Sequence, residues 1–242
     1  MDIFNSWLVE SPIAHRGLHD KTHPENSLAA FSQAIEQGYA IELDVRMISD
    51  GTIVVFHDEC LSRLTGNDGY LKFLNKSDLD ILKLEGTKEK IPTLEEVLTL
   101  VNGQVPLLIE IKNNDKVGEF EKKLLELLKN YNGEFAVESF NPYVLEYFYK
   151  NAPDIPRGQL AGFFKDEKLS FFKRIAYKKM IYNKKVSHPD FISYEANRLP
   201  NRFVRKYKTL PLIAWTVKSQ SEYIKVVKYC DNVIFEGFEP KI

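Results

Sequence analysis

Residues able to do acid–base and metal chemistry cluster at the ends of short β-rich runs in the first half of the chain. His15 and Arg16 close the run Ile13-Ala14-His15-Arg16-Gly17. Glu42 and Asp44 alternate with aliphatics in Ile41-Glu42-Leu43-Asp44-Val45, His57 precedes Asp58 after Phe56, and Glu110 and Lys112 alternate with Ile109 and Ile111. Side chains two apart share one face of a strand. Glu42 and Asp44 therefore point one way, as do Glu110 and Lys112, with the aliphatic residues facing apolar packing. Three carboxylates gathered in one mouth require a counter-charge. A divalent cation supplies it, and an all-oxygen ligand set of Glu42, Asp44 and Glu110 suits Mg²⁺ or Ca²⁺ rather than Zn²⁺. The plain alternative is ion pairing of these carboxylates with Arg16, Arg46 and Lys112. A histidine on each side of such a cation is the layout for in-line displacement: one imidazole takes the proton of the attacking oxygen and the other protonates the leaving oxygen. Arg16 and Lys112 add the positive charge that a phosphate ester requires.

The elements that position these residues follow from periodicity. Short β-rich runs are expected at 13–17, 39–47, 53–57, 106–112, 134–140, 156–161, 191–195, 211–217 and 232–236. Segments of helical period lie between them, as in parallel strands joined by helices. Asn26 can cap a helix through Leu28, Phe31 and Ile35 that Gly38 ends. Thr93 with Glu96, and Ser219 with Glu222, read as capping boxes, and Asn141-Pro142 reads as an N-cap and first helical residue. Further helices are expected over 117–130, 167–183 and 200–207. Nine strands are one too many for an eight-stranded barrel. The link through Asp50-Gly51 is far too short for a parallel crossover, so 53–57 must fold back as an antiparallel hairpin strand. Eight parallel strands remain, which predicts an α/β fold of the (β/α)₈ TIM-barrel type with a hairpin after the second strand. A doubly wound open sheet is the alternative. The Gly-, Asn-, Asp- and Lys-rich stretch 66–90 reads as a surface insertion within one domain.

Taken together, these residues resemble the glycerophosphodiester phosphodiesterase family. The resemblance runs through IAHRGLHDKTHPENSLAAFSQAIEQGY, IELDVRMISDGTIVVFHDECLSRLTG, IPTLEEVL and LLIEIK, and more weakly through ESFNP, AWTV and NVIFEGFEP. It covers nearly the whole chain, and its specific part is the ordered spacing of HRG, PEN, E-x-D-V, DG and HD. It implies a TIM barrel of the phospholipase-C-like phosphodiesterase type spanning 1–242 as a single domain, with an insertion at about 59–105. It also implies a divalent metal (Ca²⁺ or Mg²⁺) and hydrolysis of glycerophosphodiesters to glycerol 3-phosphate and an alcohol. By position, His15 and His57 are implied as the acid–base pair, Glu42, Asp44 and Glu110 as metal ligands, Arg16 and Lys112 as phosphate ligands, and Trp215 as a wall of the glycerol pocket. The chain departs from the family pattern in PENS for PENT, in AWTVK for W-T-V-N, and in Phe235-Glu236-Gly237-Phe238 at the last strand.

Composition narrows the field. The 242 residues carry 33 Lys+Arg against 34 Asp+Glu, a formal charge of -1, which excludes a strongly basic nucleic-acid binder. The apolar runs are strand-sized, so no integral membrane segment is expected, and MDIFNSWLVE lacks the pattern of a signal peptide. Cys60 and Cys230 lie far apart without metal-like spacing and are expected as free thiols in the cytoplasm. The expected partner is a small-molecule glycerophosphodiester. His19, His23 and His188 are expected at the surface or in loops. A related barrel phospholipase of the C or D type is the runner-up; an exposed rim of Phe163, Phe164, Phe171 and Phe172 would mark it. A barrel that only binds phosphate esters would lack one histidine or ligand, and here all five are present.

Overall fold

The structure, a computed structural model, describes residues 3–84, 86–163, 175, 179–180 and 183–241. Its nine strands are β1 (Ile13–Ala14), β2 (Ala40–Met47), β3 (Ile53–Val55), β4 (Leu107–Ile111), β5 (Phe135–Ser139), β6 (Arg157–Ala161), β7 (Phe191–Glu195), β8 (Leu212–Val217) and β9 (Asn232–Phe235). Every predicted strand is present, trimmed by up to three residues at an end. Among the described residues the α-helices are α1 (Trp7–Glu10), α2 (Leu28–Gln37), α3 (Ser62–Thr65), α4 (Leu94–Val101), α5 (Glu119–Leu128), α6 (Pro142–Asn151) and α7 (Gln220–Val226). The fold class is a (β/α)₈ barrel in which β3 is the extra, antiparallel strand. The chain divides into two compact units, Ala14–Phe135 and Met1–Ile13 with Ala136–Ile242.

In the first unit, β2 carries the architecture. It pairs in parallel with β4, setting Ile41 beside Leu107 and Asp44 beside Glu110. On its other side it pairs antiparallel with β3, Val45 opposite Val55 and Met47 opposite Ile53. The hairpin closes as predicted: Ile48 N–H donates to the Thr52 carbonyl at 3.0 Å, and Asp50 Oδ1 accepts from Thr52 N–H at 2.9 Å. The aliphatic face of β2, Ile41, Leu43 and Val45, is fully buried. The stretch between β3 and α4 reads polar in sequence but carries its own core. Leu61, Leu64, Leu71, Leu79, Leu82 and Leu84 pack with Phe56, Val54 and Ile91. The short α3 sits in that segment.

In the second unit, β5 to β9 form consecutive parallel pairs. Asn232 at the start of β9 donates to the carbonyls of Leu8 and Ser11 at 2.8 and 2.7 Å, tying the α1 segment to that strand.

Most caps behave as their side chains dictate. Thr93 Oγ1 accepts from Glu96 N–H while Glu96 accepts from Thr93 N–H, a complete capping box at α4. Asn141 caps α6 with Pro142 next. Ser219 accepts from Glu222 N–H at α7, but the Glu222 carboxylate turns to Lys218 N–H, so the box is only half made. Two expectations are corrected. Asn26 does not cap α2. Ser27 does, accepting from Ala30 N–H at 3.1 Å, because Asn26 adopts a left-handed φ of 58° and its side chain is engaged elsewhere. Gly38 ends α2 at φ 72° as expected. The helix expected at 200–207 is only a 3₁₀ turn, Val204–Tyr207, because Asn201 Oδ1 captures Phe203 and Val204 N–H and holds the chain in a local turn. The helix expected at 167–183 falls almost wholly outside the described residues.

Gly17, between β1 and α2, sits at φ 81°, and a Cβ there would lie 2.9 Å from the Ala30 backbone carbon. Both the backbone conformation and the space require glycine. Gly17→Ala should therefore destabilise the fold by about 2 kcal/mol or more, roughly 4–8 °C in Tm for a chain of this size. Thermal melts measure this, and an unchanged Tm would contradict the packing described.

Candidate active site

The parallel register of β2 and β4 sets Asp44 and Glu110 side by side, and Glu42 lies two residues before Asp44 on the same face. All three are buried: Asp44 is 0 % exposed, Glu42 2 % and Glu110 8 %. One carboxylate oxygen from each lies within 4.8 Å of the other two.

Two cations answer this charge. Lys112 Nζ donates to Glu110 Oε1 at 2.7 Å and lies 3.2 Å from Asp44 Oδ1. Arg16 Nε lies 3.2 Å from Asp44 Oδ2, and the Arg16 N–H donates to Glu42 Oε2 at 2.9 Å. Arg46, by contrast, donates through Nε to the His57 carbonyl at 2.9 Å and faces Glu59. Burial pushes the Asp44 carboxyl up, but Lys112, then His57 and Arg16, hold it well below the usual range. At Glu110 burial wins: it raises the pKa, Lys112 opposes and the Asp44 charge adds to the rise. Lys112 is disfavoured as a cation by burial, yet its two carboxylates raise it above an ordinary lysine. The same pair of strands thus holds one carboxylate firmly ionised and one that takes a proton more readily.

Three buried carboxylates meet two cations, and Arg16 is shared with a fourth carboxylate, Glu25. Asp44 Oδ1, buried, has no hydrogen bond among the described residues despite its ion-pairing distance to Lys112. An all-oxygen donor set, excess negative charge and a buried acceptor with spare capacity fit a hard divalent cation. The ion pairing that the sequence left as the alternative is present too, and it leaves this excess uncancelled.

The histidines flank the cluster. His15 follows β1, with Nε2 4.0 Å from Glu42 Oε2. His57 follows β3; its Nδ1 lies 2.6 Å from Asp58 Oδ1, so the ring N–H donates to the carboxylate. In the neutral ring this leaves the lone pair on Nε2, the tautomer that can accept a proton. Phe56 N–H donates to the Asp44 carbonyl at 2.9 Å, which ties the residue before His57 to the strand that bears the carboxylates.

Sequence reasoning passed over several neighbours. Asn26 is fully buried; its Nδ2 donates to Asp44 Oδ2 at 2.8 Å and its Oδ1 accepts from Asp44 N–H at 3.3 Å. Glu25 takes Arg16 Nη1 at 2.6 Å and two donors from Arg63. The PEN triplet carries the resemblance, and its residue types alone suggest a helix start. Arg63 carried no signal apart from its place within the HDECLSR stretch. Trp215 lies in the other unit, on β8, edge-to-face with Phe140 at 5.6 Å between centroids. Phe163 is half-buried beside Phe203, at 6.4 Å between centroids, and both pack against a core cluster that includes Ile192 and Tyr194. Phe164, Phe171 and Phe172 lie outside the described residues. His23 shares a turn with Asp20, and His188 stacks on Tyr149.

Comparison with known proteins gives this geometry a family. The model of the glycerophosphoryl diester phosphodiesterase family matches residues 15–237. A glycerophosphodiester phosphodiesterase of Caldanaerobacter subterraneus subsp. tengcongensis is 40% identical over 161 residues, 61% of this chain and 65% of that protein. One from Bacillus altitudinis is 35% identical over 154 residues, 59% of this chain and 62% of its own length. The matches thus span a little under two thirds of these relatives. Among solved structures, an Oleispira antarctica phosphodiesterase in complex with the product sn-glycerol-3-phosphate superposes with a TM-score of 0.80. Its identity is 25%, and the match covers 94% of this chain and 93% of that one. The glycerophosphodiester phosphodiesterase of Thermotoga maritima gives 0.73 at 28% identity, covering 93% and 94%. That family is metal-dependent, in keeping with the acidic cluster. With the family model matched from His15 through Gly237, the chain belongs to the glycerophosphoryl diester phosphodiesterase family.

Proposed function

We propose that this chain hydrolyses glycerophosphodiesters to glycerol 3-phosphate and an alcohol, with Glu42, Asp44 and Glu110 holding a divalent cation, Mg²⁺ or Ca²⁺. The observation that carries the reading is the buried carboxylate trio beside a histidine whose tautomer a carboxylate holds. The family and the product-bound neighbour support the substrate class. The domain is read as one catalytic unit over 1–242, with residues 59–105 as its insertion. The setting is read as cytoplasmic: Cys60 and Cys230 are free thiols, and no described helix is long and apolar enough to cross a membrane. The lipid-directed alternative gains nothing from Phe163, which packs inward.

When bound, the cation neutralises the phosphodiester and polarises its phosphoryl oxygen. Arg16 and Lys112, already drawn to the carboxylates, place positive charge beside the same locus and orient the substrate anion. His15 and His57 divide the proton work. One takes the proton from the attacking water oxygen. The other delivers a proton to the alcohol oxygen as the P–O bond breaks, so both oxygens end neutral. Asp58, held well below the usual carboxylate range by His57 and Arg63 against the opposing effect of burial, stays ionised and holds the His57 ring by its Nδ1–H.

Exhaustive chelation should abolish activity and either Mg²⁺ or Ca²⁺ should restore it. At a hundredfold excess over Kd the added cation should stabilise the fold by about 2.7 kcal/mol. Burial raises Glu110 above an ordinary carboxyl, so it takes up a proton as the pH falls and then cannot ligate. The cation-induced rise in Tm should therefore shrink between pH 8 and pH 5; a rise that is unchanged or larger at pH 5, or full activity after chelation, contradicts the site.

His15→Ala and His57→Ala should each lower kcat by about 10²–10⁴-fold on a natural glycerophosphodiester while keeping the fold. On a nitrophenyl phosphodiester, whose leaving group departs without a proton, only the variant lacking the general acid should regain rate. Recovery in neither variant, or loss of less than tenfold in either, would overturn the acid–base pair.

A further inference from the structure

Arg63 is half-exposed, yet its guanidinium is gripped on both sides. Toward Asp58, Nε donates to Oδ2 at 2.6 Å and Nη2 to Oδ1 at 3.0 Å. Toward Glu25, Nη1 donates to Oε2 and Nη2 to Oε1, each at 2.8 Å. Both contacts are charge-assisted and two-pronged, a geometry that only the planar guanidinium provides. Each carboxylate then reaches one residue of the proposed machinery. Asp58 Oδ1 accepts from His57 Nδ1–H at 2.6 Å, and Glu25 Oε1 accepts from Arg16 Nη1 at 2.6 Å. An unbroken chain of bonds thus runs from His57 through Asp58, Arg63 and Glu25 to Arg16, whose Nε lies beside Asp44.

An exposed ion pair ordinarily contributes little, because solvent screens it and the side chains must be ordered. This one differs in what it holds. The Glu25 and Asp58 side chains are only 10 % and 21 % exposed, against 46 % for Arg63. The α3 segment does not depend on Arg63 for its place, since Leu61 and Leu64 are anchored in the apolar cluster beneath it. The four bonds are therefore available to set orientation rather than to hold the segment down.

We propose that Arg63 is a positioning residue: through Asp58 it fixes the ring of His57, and through Glu25 it fixes the guanidinium of Arg16, so that the acid–base group and the phosphate-binding group keep a common register. This rests on the proposed phosphodiesterase reaction. Without Arg63, Asp58 is free to turn from His57 and Glu25 to draw Arg16 out of line. The consequence falls on kcat through the first and on KM through the second. A lysine preserves the charge but not the paired donors, so it replaces Arg63 only in part.

The test uses the full chain with its divalent cation and glycerophosphocholine as the probe, with Tm and bound metal recorded for each variant. Arg63→Ala should lower kcat by about 10–100-fold, as loss of an orienting partner does elsewhere, with metal content unchanged. Arg63→Lys should lose at least about fivefold. The decisive comparison is the same change made in His57→Ala. There Arg63→Ala should alter kcat by less than about threefold, because the ring it orients is gone, while a rise in KM persists through Arg16. A role confined to stability gives the same loss of kcat in both backgrounds, and that result overturns the proposal. So does an Arg63→Ala enzyme with kcat within about twofold of the parent, well inside the loss expected of an orienting partner. If Arg63→Ala does not fold, Arg63→Lys alone and in His57→Ala carries the same comparison. A parent enzyme inactive on every glycerophosphodiester sinks the proposed function and this inference with it. An active parent that requires His57 but is indifferent to Arg63 sinks the inference alone.

Discussion

The organising constraint is the parallel register that puts Asp44 directly beside Glu110. Two buried carboxylates on adjacent strands repel each other, and a third, Glu42, shares their face. An uncompensated buried charge is among the most destabilising features a fold can carry. Much of the local structure answers it. Lys112, just past the end of β4, reaches back to Glu110 and across to Asp44. Arg16 approaches from β1 and Asn26 from the start of α2. Arg16 and Asn26 both adopt left-handed backbone, φ 54° and 58°, a conformation that non-glycine side chains rarely take. Observed at Asn26, which hydrogen-bonds Asp44, and at Arg16, which ion-pairs with it, this strain is of the kind that collects at functional sites.

The hairpin supplies the second constraint. Because β3 turns back on β2, the chain leaving β3 returns alongside Asp44, and His57 arrives beside the carboxylates by backbone geometry. Arg46, two residues beyond Asp44 on β2, holds the His57 carbonyl, and Asp58 holds its ring. Glu42, Asp44 and His57 are thus carried by the β2–β3 hairpin, with Glu110 on β4 beside it. Such a mounting suits a site in which a misplacement of about 1 Å can lower the rate a hundredfold.

The strand pattern was readable because strand residues alternate so regularly: aliphatics at 41, 43, 45 and 109, 111 against charge at 42, 44 and 110, 112. The hairpin followed from loop length alone. Side-chain capture of the backbone was harder to read. Asn26 and Ser27 are both good N-caps by type, and only the three-dimensional proximity of Asp44 decides that Asn26 serves the site and Ser27 the helix. At 201, the same chemistry ended an expected helix before it began. The carboxylates and histidines of the site were legible from their strand positions. Glu25 and Arg63 were not, because their partners lie on separate elements and the pairing of Arg63 with Glu25 spans 38 residues. The resemblance pointed to the PEN triplet and the HD pair without saying what Glu25, Asn26 and Asp58 do.

The central claim is that this carboxylate cluster holds one hard divalent cation. Equilibrium titration of metal-stripped protein with Ca²⁺ and with Mg²⁺, followed by calorimetry, tests it without reference to activity. The account predicts one ion per chain for the parent and no saturable binding for folded Asp44→Asn or Glu110→Gln. Undiminished binding in both variants, or none in the parent, would contradict it.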